Sequence, residues 1–183
     1  MVLMSDASRF RFCPVCGGPF TPRHLRPGEP ARLVCGACGF IYYIDPKVAV
    51  GTIIRMGEGV VLARRAIEPG YGEWVFPGGY VDRGEVVEDA ARREAREEVG
   101  LDVRLDGLVG IYSYPGTTPI VVVYKATPTG GTLAVDEESL EARRFTQAEV
   151  PWADLAFRST EAALRDYWSG RTYCVEPAPV PEF

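Results

Sequence analysis

The sequence of 183 residues contains no apolar run approaching the roughly 20 residues that cross a bilayer. No early stretch joins basic residues to an apolar segment in the manner of a secretory signal. The membrane-spanning and exported classes are therefore set aside, and a cytoplasmic protein with no membrane partner is expected. There is one histidine, His24; with four paired cysteines available as ligands, it is expected at the surface or in packing. No internal repeat is present.

What the chain does contain is enough apolar material for a core, 46%, in a length that suits one ordinary domain plus a small module. The formal charge is -5. Residues 1–45 carry five arginines against three acids, net +2, so the remainder carries -7. An acidic main body argues against broad nucleic-acid binding there.

Five cysteines in a cytoplasmic chain favour metal binding over a disulfide framework. Cys13, Cys16, Cys35 and Cys38 have the spacing C-x2-C-x18-C-x2-C, which fits a tetrahedral four-thiolate zinc site. Gly17, Gly36 and Gly39 beside the pairs permit tight turns. Four thiolates close the coordination sphere to water and substrate, so this zinc is expected to be structural, bracing a segment too small to fold on its own core. Arg9, Arg11, Arg23, Arg26 and Arg32 offer the segment to nucleic acid only weakly. Cys174 is left unpaired.

The stretch 79–101 carries the chemistry. Gly78, Gly79 and Gly84 punctuate a loop, Glu85, Glu88 and Asp89 suit the positive end of a helix, and Gly100 is the expected stop. On that helix Glu94, Glu97 and Glu98 fall at i, i+3 and i+4, on one face. Val87, Ala91, Ala95 and Val99 form a neighbouring apolar stripe, and Arg92, Arg93 and Arg96 fill the remaining arc. Such carboxylates repel by a few tenths of a kcal/mol on a free helix, and a bound cation reverses that sign. Oxygen donors of this hardness suit Mg²⁺ or Mn²⁺.

An isolated E-x-x-E-E is most simply a solvated acidic face, but the wider pattern G-x5-E-x7-R-E-A-x-E-E-x-G-L is specific. It resembles the Nudix hydrolase box at Gly79, Glu85, Arg93, Glu94, Glu97, Glu98, Gly100 and Leu101, with Ala95 small where a larger aliphatic residue is usual. The resemblance implies a divalent cation held by Glu94, Glu97, Glu98 and the carbonyl of Gly79, with Glu85 and Arg93 orienting those ligands. It implies in-line attack of water on a diphosphate whose charge the cation neutralises. Glu97 is one candidate base. Glu141, in Glu141-Ala-Arg-Arg-Phe145, resembles the family's Glu-x-Arg-Trp-Phe segment and is a further ligand or base candidate, or else a surface acid; Glu137 and Glu138 are alternatives.

Along the chain, Phe40–Tyr43 closes the first module, and Asp45-Pro46 marks its end. Val48–Arg55 and Val60–Arg65 read as a hairpin. A loop and short strand follow to Gly79, with Trp74 expected in the core. After the helix come strands over Val103–Tyr114 and Ile120–Thr127, a turn at Gly130-Gly131, an acidic loop over Asp136–Glu141, a strand over Ala142–Thr146 and a helix over Glu161–Trp168. The expected organisation is a zinc ribbon at 1–45, a Nudix domain at 46–169 and a proline-rich tail at 170–183. The resemblance implies an α/β/α sandwich with a mixed sheet for the main body.

The flanks bear on the substrate. A four-cysteine ribbon ahead of a Nudix domain is similar to NADH pyrophosphatases, but their Ser-Gln-Pro-Trp-Pro-Phe-Pro is replaced here by Ile111-Tyr-Ser-Tyr-Pro115-Gly-Thr-Thr-Pro119. The segments at Cys16, Asp45, Arg64 and Gly72 look closest to zinc-ribbon Nudix proteins acting on ADP-ribose or FAD. Pro115 falls one residue from the proline associated with ADP-ribose hydrolases. Tyr112 or Tyr114 could stack an adenine or simply pack. The expectation is a Mg²⁺-dependent pyrophosphatase of an ADP-linked metabolite yielding AMP. NADH hydrolysis, sanitising of nucleoside triphosphates and a nucleotide-sensing regulator are the alternatives. The expected partner is a small nucleotide rather than nucleic acid, and a homodimer is left open.

Overall fold

Residues 10–171 are described by a computed structural model, and they divide at Pro46/Lys47 into two compact units. In the first, strands β1 (Phe20–Arg23), β2 (Arg32–Cys35) and β3 (Ile41–Tyr42) form an antiparallel sheet with β2 central. Its buried apolar side chains are Cys13, Leu33, Val34 and Cys35, too few to stabilise a fold of this size without a further tie.

Both cysteine pairs sit in turns closed in the same way. The N–H of Gly17 donates to the Cys13 carbonyl at 2.9 Å, and that of Gly39 to the Cys35 carbonyl at 3.1 Å. Gly17 and Gly39 have φ of 73° and 76°, a conformation that disfavours any side chain. Gly36 was expected to share this role but does not adopt positive φ. Gly18 is the constrained neighbour instead, since a Cβ there would stand 2.8 Å from the Ala37 Cβ and 3.1 Å from the Cys35 sulfur.

The second unit is built on β4 (Lys47–Met56), whose residues are buried on both faces of the sheet. β4 turns through Gly57 into β5 (Gly59–Arg65), which also pairs with the short β6 (Trp74–Val75). On its other side β4 pairs in parallel with β8 (Pro119–Gly131), which pairs antiparallel with β7 (Leu101–Tyr112); β9 (Ser139–Thr146) pairs antiparallel with β5. The sheet is therefore mixed. Helix α1 (Val87–Val99) lies between β6 and β7 in sequence, and α2 (Arg158–Ser169) follows β9.

The alternation of side chains along a strand decides where the helices go. Val50 and Ile54 point to the α1 face, packing with Ala90 and Ala91 and with Ala95 and Val99 respectively. Ile53 points the other way, into a cluster with Ala163 and Leu164 of α2. The two helices thus cover opposite faces of one sheet, an α/β layered arrangement. The three alanines of α1, all fully buried, let its backbone approach the sheet closely.

Two element expectations are corrected. Gly130-Gly131 does not turn but continues β8, pairing with Asp102 and Leu101. α2 begins at Arg158 rather than Glu161, because its first turn, Arg158-Ser159-Thr160, is polar and gives no apolar period. Trp74 is a core residue, 6% exposed and edge-on to Phe145 at 4.7 Å between ring centroids. Cys174 and most of the proline-rich tail lie outside the described residues, as does Arg9. No helix among the described residues is long and apolar enough to cross a membrane.

Candidate active site

The four cysteine sulfurs of the first unit lie within 4.8 Å of one another, with Cys13–Cys38 at 3.7 Å and Cys16–Cys35 at 3.5 Å. These separations exceed a disulfide bond and match the edge of a tetrahedron about 3.8 Å long that Zn–S bonds of about 2.3 Å would generate. The backbone N–H of Cys38, donated to the Cys35 sulfur, is the chief cause that lowers the Cys35 thiol to about 6. At Cys38 the Phe40 N–H is outweighed by the crowding of the neighbouring sulfurs, which pushes that thiol up to about 12. The convergence of the four sulfurs, and not either thiol alone, is what suits a cation. The donor set fits zinc. His24 stands outside the cluster, its Nδ1 3.0 Å from the Glu29 carbonyl.

In the second unit, the loop Pro77–Gly79 crosses the start of β4. The Val50 N–H donates to the Gly79 carbonyl at 2.8 Å and the Thr52 N–H to the Pro77 carbonyl at 2.8 Å, which holds the loop against the sheet beside α1. Gly78 and Gly79 permit this approach. A Cβ on Gly78 would strike the Val50 carbonyl and the Gly51 Cα, and one on Gly79 would stand 2.5 Å from a carboxylate oxygen of Glu94. The Gly79 carbonyl retains a second lone pair beyond its bond to Val50.

Arg93 ties the carboxylates together. Its Nε and Nη2 donate to the two oxygens of Glu85 at 2.8 and 2.9 Å, its Nη1 to Glu94 at 2.7 Å and Glu97 at 2.9 Å, and its Nη2 also to the Tyr80 carbonyl at 3.2 Å. The Arg93 hydrogen bonds, joined by the Asp82 N–H, draw the Glu85 carboxyl down to about 2. Glu85 is thereby fixed as a permanent anion that orients Arg93.

Glu98 and Glu94 are perturbed the opposite way. Desolvation, opposed by the Gly78 N–H that donates to Glu98 at 2.7 Å, pushes the Glu98 carboxyl up to about 8. Desolvation also raises Glu94, with the nearby negative charges of Glu97 and Glu138 adding to it. Such half-buried, under-compensated oxygens are the donor chemistry a hard divalent cation satisfies.

These groups open into a cavity of about 900 Å³. Glu68, Glu94, Glu97, Glu98, Asp136 and Glu138 line it against two arginines, Arg65 and Arg158. Glu141 is not on its lining; it lies across from Arg64 on β5 and forms an ion pair with it at 3.5 Å, both side chains nearly half exposed. Asp136 and Glu138, in the bend before β9, face the cavity in its place. Glu138 was a secondary candidate and Asp136 had not been singled out within its acidic loop. Glu85 and Arg93 sit behind the lining acids. Tyr112 is in the core and donates its hydroxyl to Asp166 at 3.0 Å, while the Tyr114 ring is covered by the Arg158 guanidinium at 4.6 Å. Both rings reach the cavity wall, and Tyr114 has one face already occupied.

Residues 45–166 match the family described as NUDIX domain, and residues 11–44 match the one described as Nudix N-terminal. An ADP-ribose pyrophosphatase of Methanocaldococcus jannaschii is 36% identical over 129 residues, covering 68% of this chain and 75% of that protein. A protein of Stutzerimonas stutzeri named NAD-capped RNA hydrolase NudC is 32% identical over 140 residues, 75% of this chain and 48% of that protein, so the chain spans about half of this relative's length. Among solved structures, a NUDIX hydrolase from Nitrosomonas europaea has a TM-score of 0.83 at 34% identity, over 88% of this chain and 92% of that one.

Proposed function

The chain belongs to the Nudix hydrolase family, and from that premise we propose that it hydrolyses the diphosphate linkage of an ADP-linked metabolite, ADP-ribose or FAD before others, to AMP and a second phosphorylated product. The observation that carries this reading is the charge of the cavity. Six carboxylates against two guanidinium groups repel a phosphorylated ligand unless cations intervene, so the pocket suits a phosphate substrate only together with a divalent ion.

Glu94, Glu97 and Glu98, with the free lone pair of the Gly79 carbonyl, are the proposed ligands of that ion, Mg²⁺ in first place and Mn²⁺ in second. Bound there, it would supply charge neutralisation for the diphosphate and would make a bound water more acidic. Arg93 holds Glu94 and Glu97 in register and is itself aligned by Glu85. Glu97, the most exposed of the three, and Glu138, which also lines the cavity, are the candidate bases for the proton of the attacking water; Glu141 is the lesser one, because it is not on the cavity lining. The zinc ribbon at 1–45 is proposed as a structural module ahead of a catalytic domain at 46–169.

The resemblance to an ADP-ribose pyrophosphatase supports the choice of substrate. The relative named for NAD-capped RNA supports a second reading, cleavage of a nicotinamide dinucleotide, and keeps an RNA-linked conjugate among the substrates to be tried. A panel of ADP-ribose, FAD, NADH, NAD-capped RNA and dinucleoside polyphosphates, with Mg²⁺ and product analysis, tests both. AMP from ADP-ribose or FAD at the highest kcat/KM is the expected result; preference for another class overturns the assignment. Glu97→Gln and Glu98→Gln should abolish turnover in folded protein, and activity retained in both would remove the proposed ligand set.

A further inference from the structure

A second cavity, of about 410 Å³, opens where α2 ends, between its last turn and the β4–β5 hairpin. It shares no lining residue with the carboxylate cavity, which meets the start of the same helix. Arg55 enters it from β4, Glu58 from the hairpin turn and Lys125 from β8, while Tyr167, Trp168 and Arg171 come from the end of α2 and just beyond. Its charge is the reverse of the first: three cations stand against one carboxylate, in a main body that is acidic as a whole.

Two of these cations are not spent within the protein. Among the described residues neither Arg55 nor Lys125 has an ion-pair partner. Arg55 acts on Asp106 only from a distance, and that carboxylate is already engaged by Arg104 at 2.9 Å and by the Thr127 hydroxyl at 2.6 Å. Lys125 owes its place to a bulge. The β7–β8 register shifts between Leu105 and Gly107, and a Cβ on Gly107 would stand 3.1 Å from the Lys125 Cε, so bare backbone makes room for the lysine stem. Arg171 differs, being paired with Asp166 at 3.3 Å. The aromatic wall is fixed: Trp168 meets Trp152 and Tyr167 edge-on, at 6.0 and 5.7 Å between ring centroids. Burial raises the Tyr167 phenol and Arg55 opposes that rise, which places the guanidinium near the ring.

We propose that this cavity is a binding site for a nucleoside monophosphate, taken without a metal ion. A guanidinium and an ammonium group free of internal partners match the oxygens of a dianionic phosphate. The Tyr167–Trp168 wall offers ring surface to a base, and the Glu58 carboxylate is an acceptor for ribose hydroxyls. The volume, less than half the roughly 900 Å³ of the carboxylate cavity, suits a mononucleotide rather than a dinucleotide conjugate. The site stands whether or not the carboxylate cavity hydrolyses anything.

Calorimetric titration with AMP, in zinc-loaded protein without added Mg²⁺, tests the site, because the carboxylate cavity repels phosphates when it holds no cation. One AMP per chain is expected, with adenosine and ribose 5-phosphate each weaker by roughly tenfold; a Kd for AMP above about 1 mM, or either fragment binding as well as AMP, overturns the proposal. In ¹H–¹⁵N spectra AMP should shift the Trp168 indole N–H, and silence there overturns it too. Arg55→Gln and Lys125→Gln, both at exposed positions, should each weaken AMP by roughly tenfold, the scale of one charge-assisted hydrogen bond. Glu98→Gln should leave AMP binding unchanged. Binding that survives both cation variants, or is lost in Glu98→Gln, would move AMP to the carboxylate cavity and overturn the site. If AMP binds in this way but no conjugate is cleaved, the site stands and the hydrolytic reading falls. If conjugates are cleaved and AMP does not bind without Mg²⁺, the reverse holds.

Discussion

Replacing Gly79 by alanine should leave the fold intact and remove most of the activity. Gly79 does not need positive φ, so the backbone accepts a side chain there. The obstacle is the Glu94 carboxylate: a Cβ would lie 2.5 and 2.7 Å from its oxygens and 2.6 Å from its Cδ. Restoring ordinary contact near 3.4 Å requires that carboxylate to recoil by roughly 0.8 Å, the difference between 3.4 and 2.6 Å. Displacements of about 1 Å at a reacting centre can lower rates by about 10²-fold, equivalent to about 2.7 kcal/mol of barrier. The stability change should be under about 1 kcal/mol, because the restriction of the unfolded chain offsets the disturbed contact. Gly78→Ala is the internal contrast. Its Cβ would meet the Val50 carbonyl and the Gly51 Cα, backbone of β4 that cannot swing aside, so that variant should lose folded protein rather than turnover alone. kcat/KM on the best substrate of the panel, at saturating Mg²⁺, and a thermal melt of each variant separate the two. Gly79→Ala with activity within about threefold of wild type would refute the importance of the Glu94 position.

Other expectations follow from the same geometry. Because the folded chain holds the Glu98 proton up to about 8 while an unfolded carboxyl loses it near 4.5, metal-free protein should lose stability as pH rises between those values, by at most about 5 kcal/mol. Glu98→Gln should flatten that slope in urea melts under EDTA, and a wild-type profile no steeper than the variant's would contradict it. Arg93→Lys loses the two-pronged bond to Glu85 and should reduce kcat/KM by about 10–100-fold, with Mg²⁺ requirement shifted upward; wild-type metal dependence would show that the guanidinium does not position the acids. Cys35→Ser should lower the bound zinc measured by elemental analysis from one per chain to a small fraction, since one of four convergent ligands is gone. Full retention of zinc would exclude the cluster as its site.

The features readable from the sequence are those set by local periodicity. Glu94, Glu97 and Glu98 fall on one helical face at any orientation of the helix, whereas the supporting roles of Arg93 and of Glu85, which lies in the loop before the helix, were implied by the Nudix resemblance and not by spacing. The cysteine pairs are readable for a similar reason, their turns being closed within five residues. What depends on register was not readable. Glu141 and Glu138 are three residues apart, yet β9 starts at Ser139 and pairs Glu141 with Arg64, whereas Glu138 lies in the bend that faces the cavity. Nothing in an acidic loop states which residue the sheet will capture. Gly130-Gly131 looked like a turn by composition, but pairing with Leu101 and Asp102 held it extended. The first turn of α2 escaped notice because Arg-Ser-Thr carries no apolar signal, although Ser and Thr close to a helix start are themselves a cue that could have been used.

The placement of α1 and α2 on opposite faces of the sheet has an evolutionary corollary. The acids proposed to hold the cation reside on little more than one turn of a single helix, 94–98, while the walls a ligand's remaining groups would touch come from separate connections, among them 112–119 and 156–160. Mutations in those connections can retune which conjugate is accepted without disturbing the hydrolytic helix, so lineages sharing this scaffold are free to exchange metabolites while keeping one reaction.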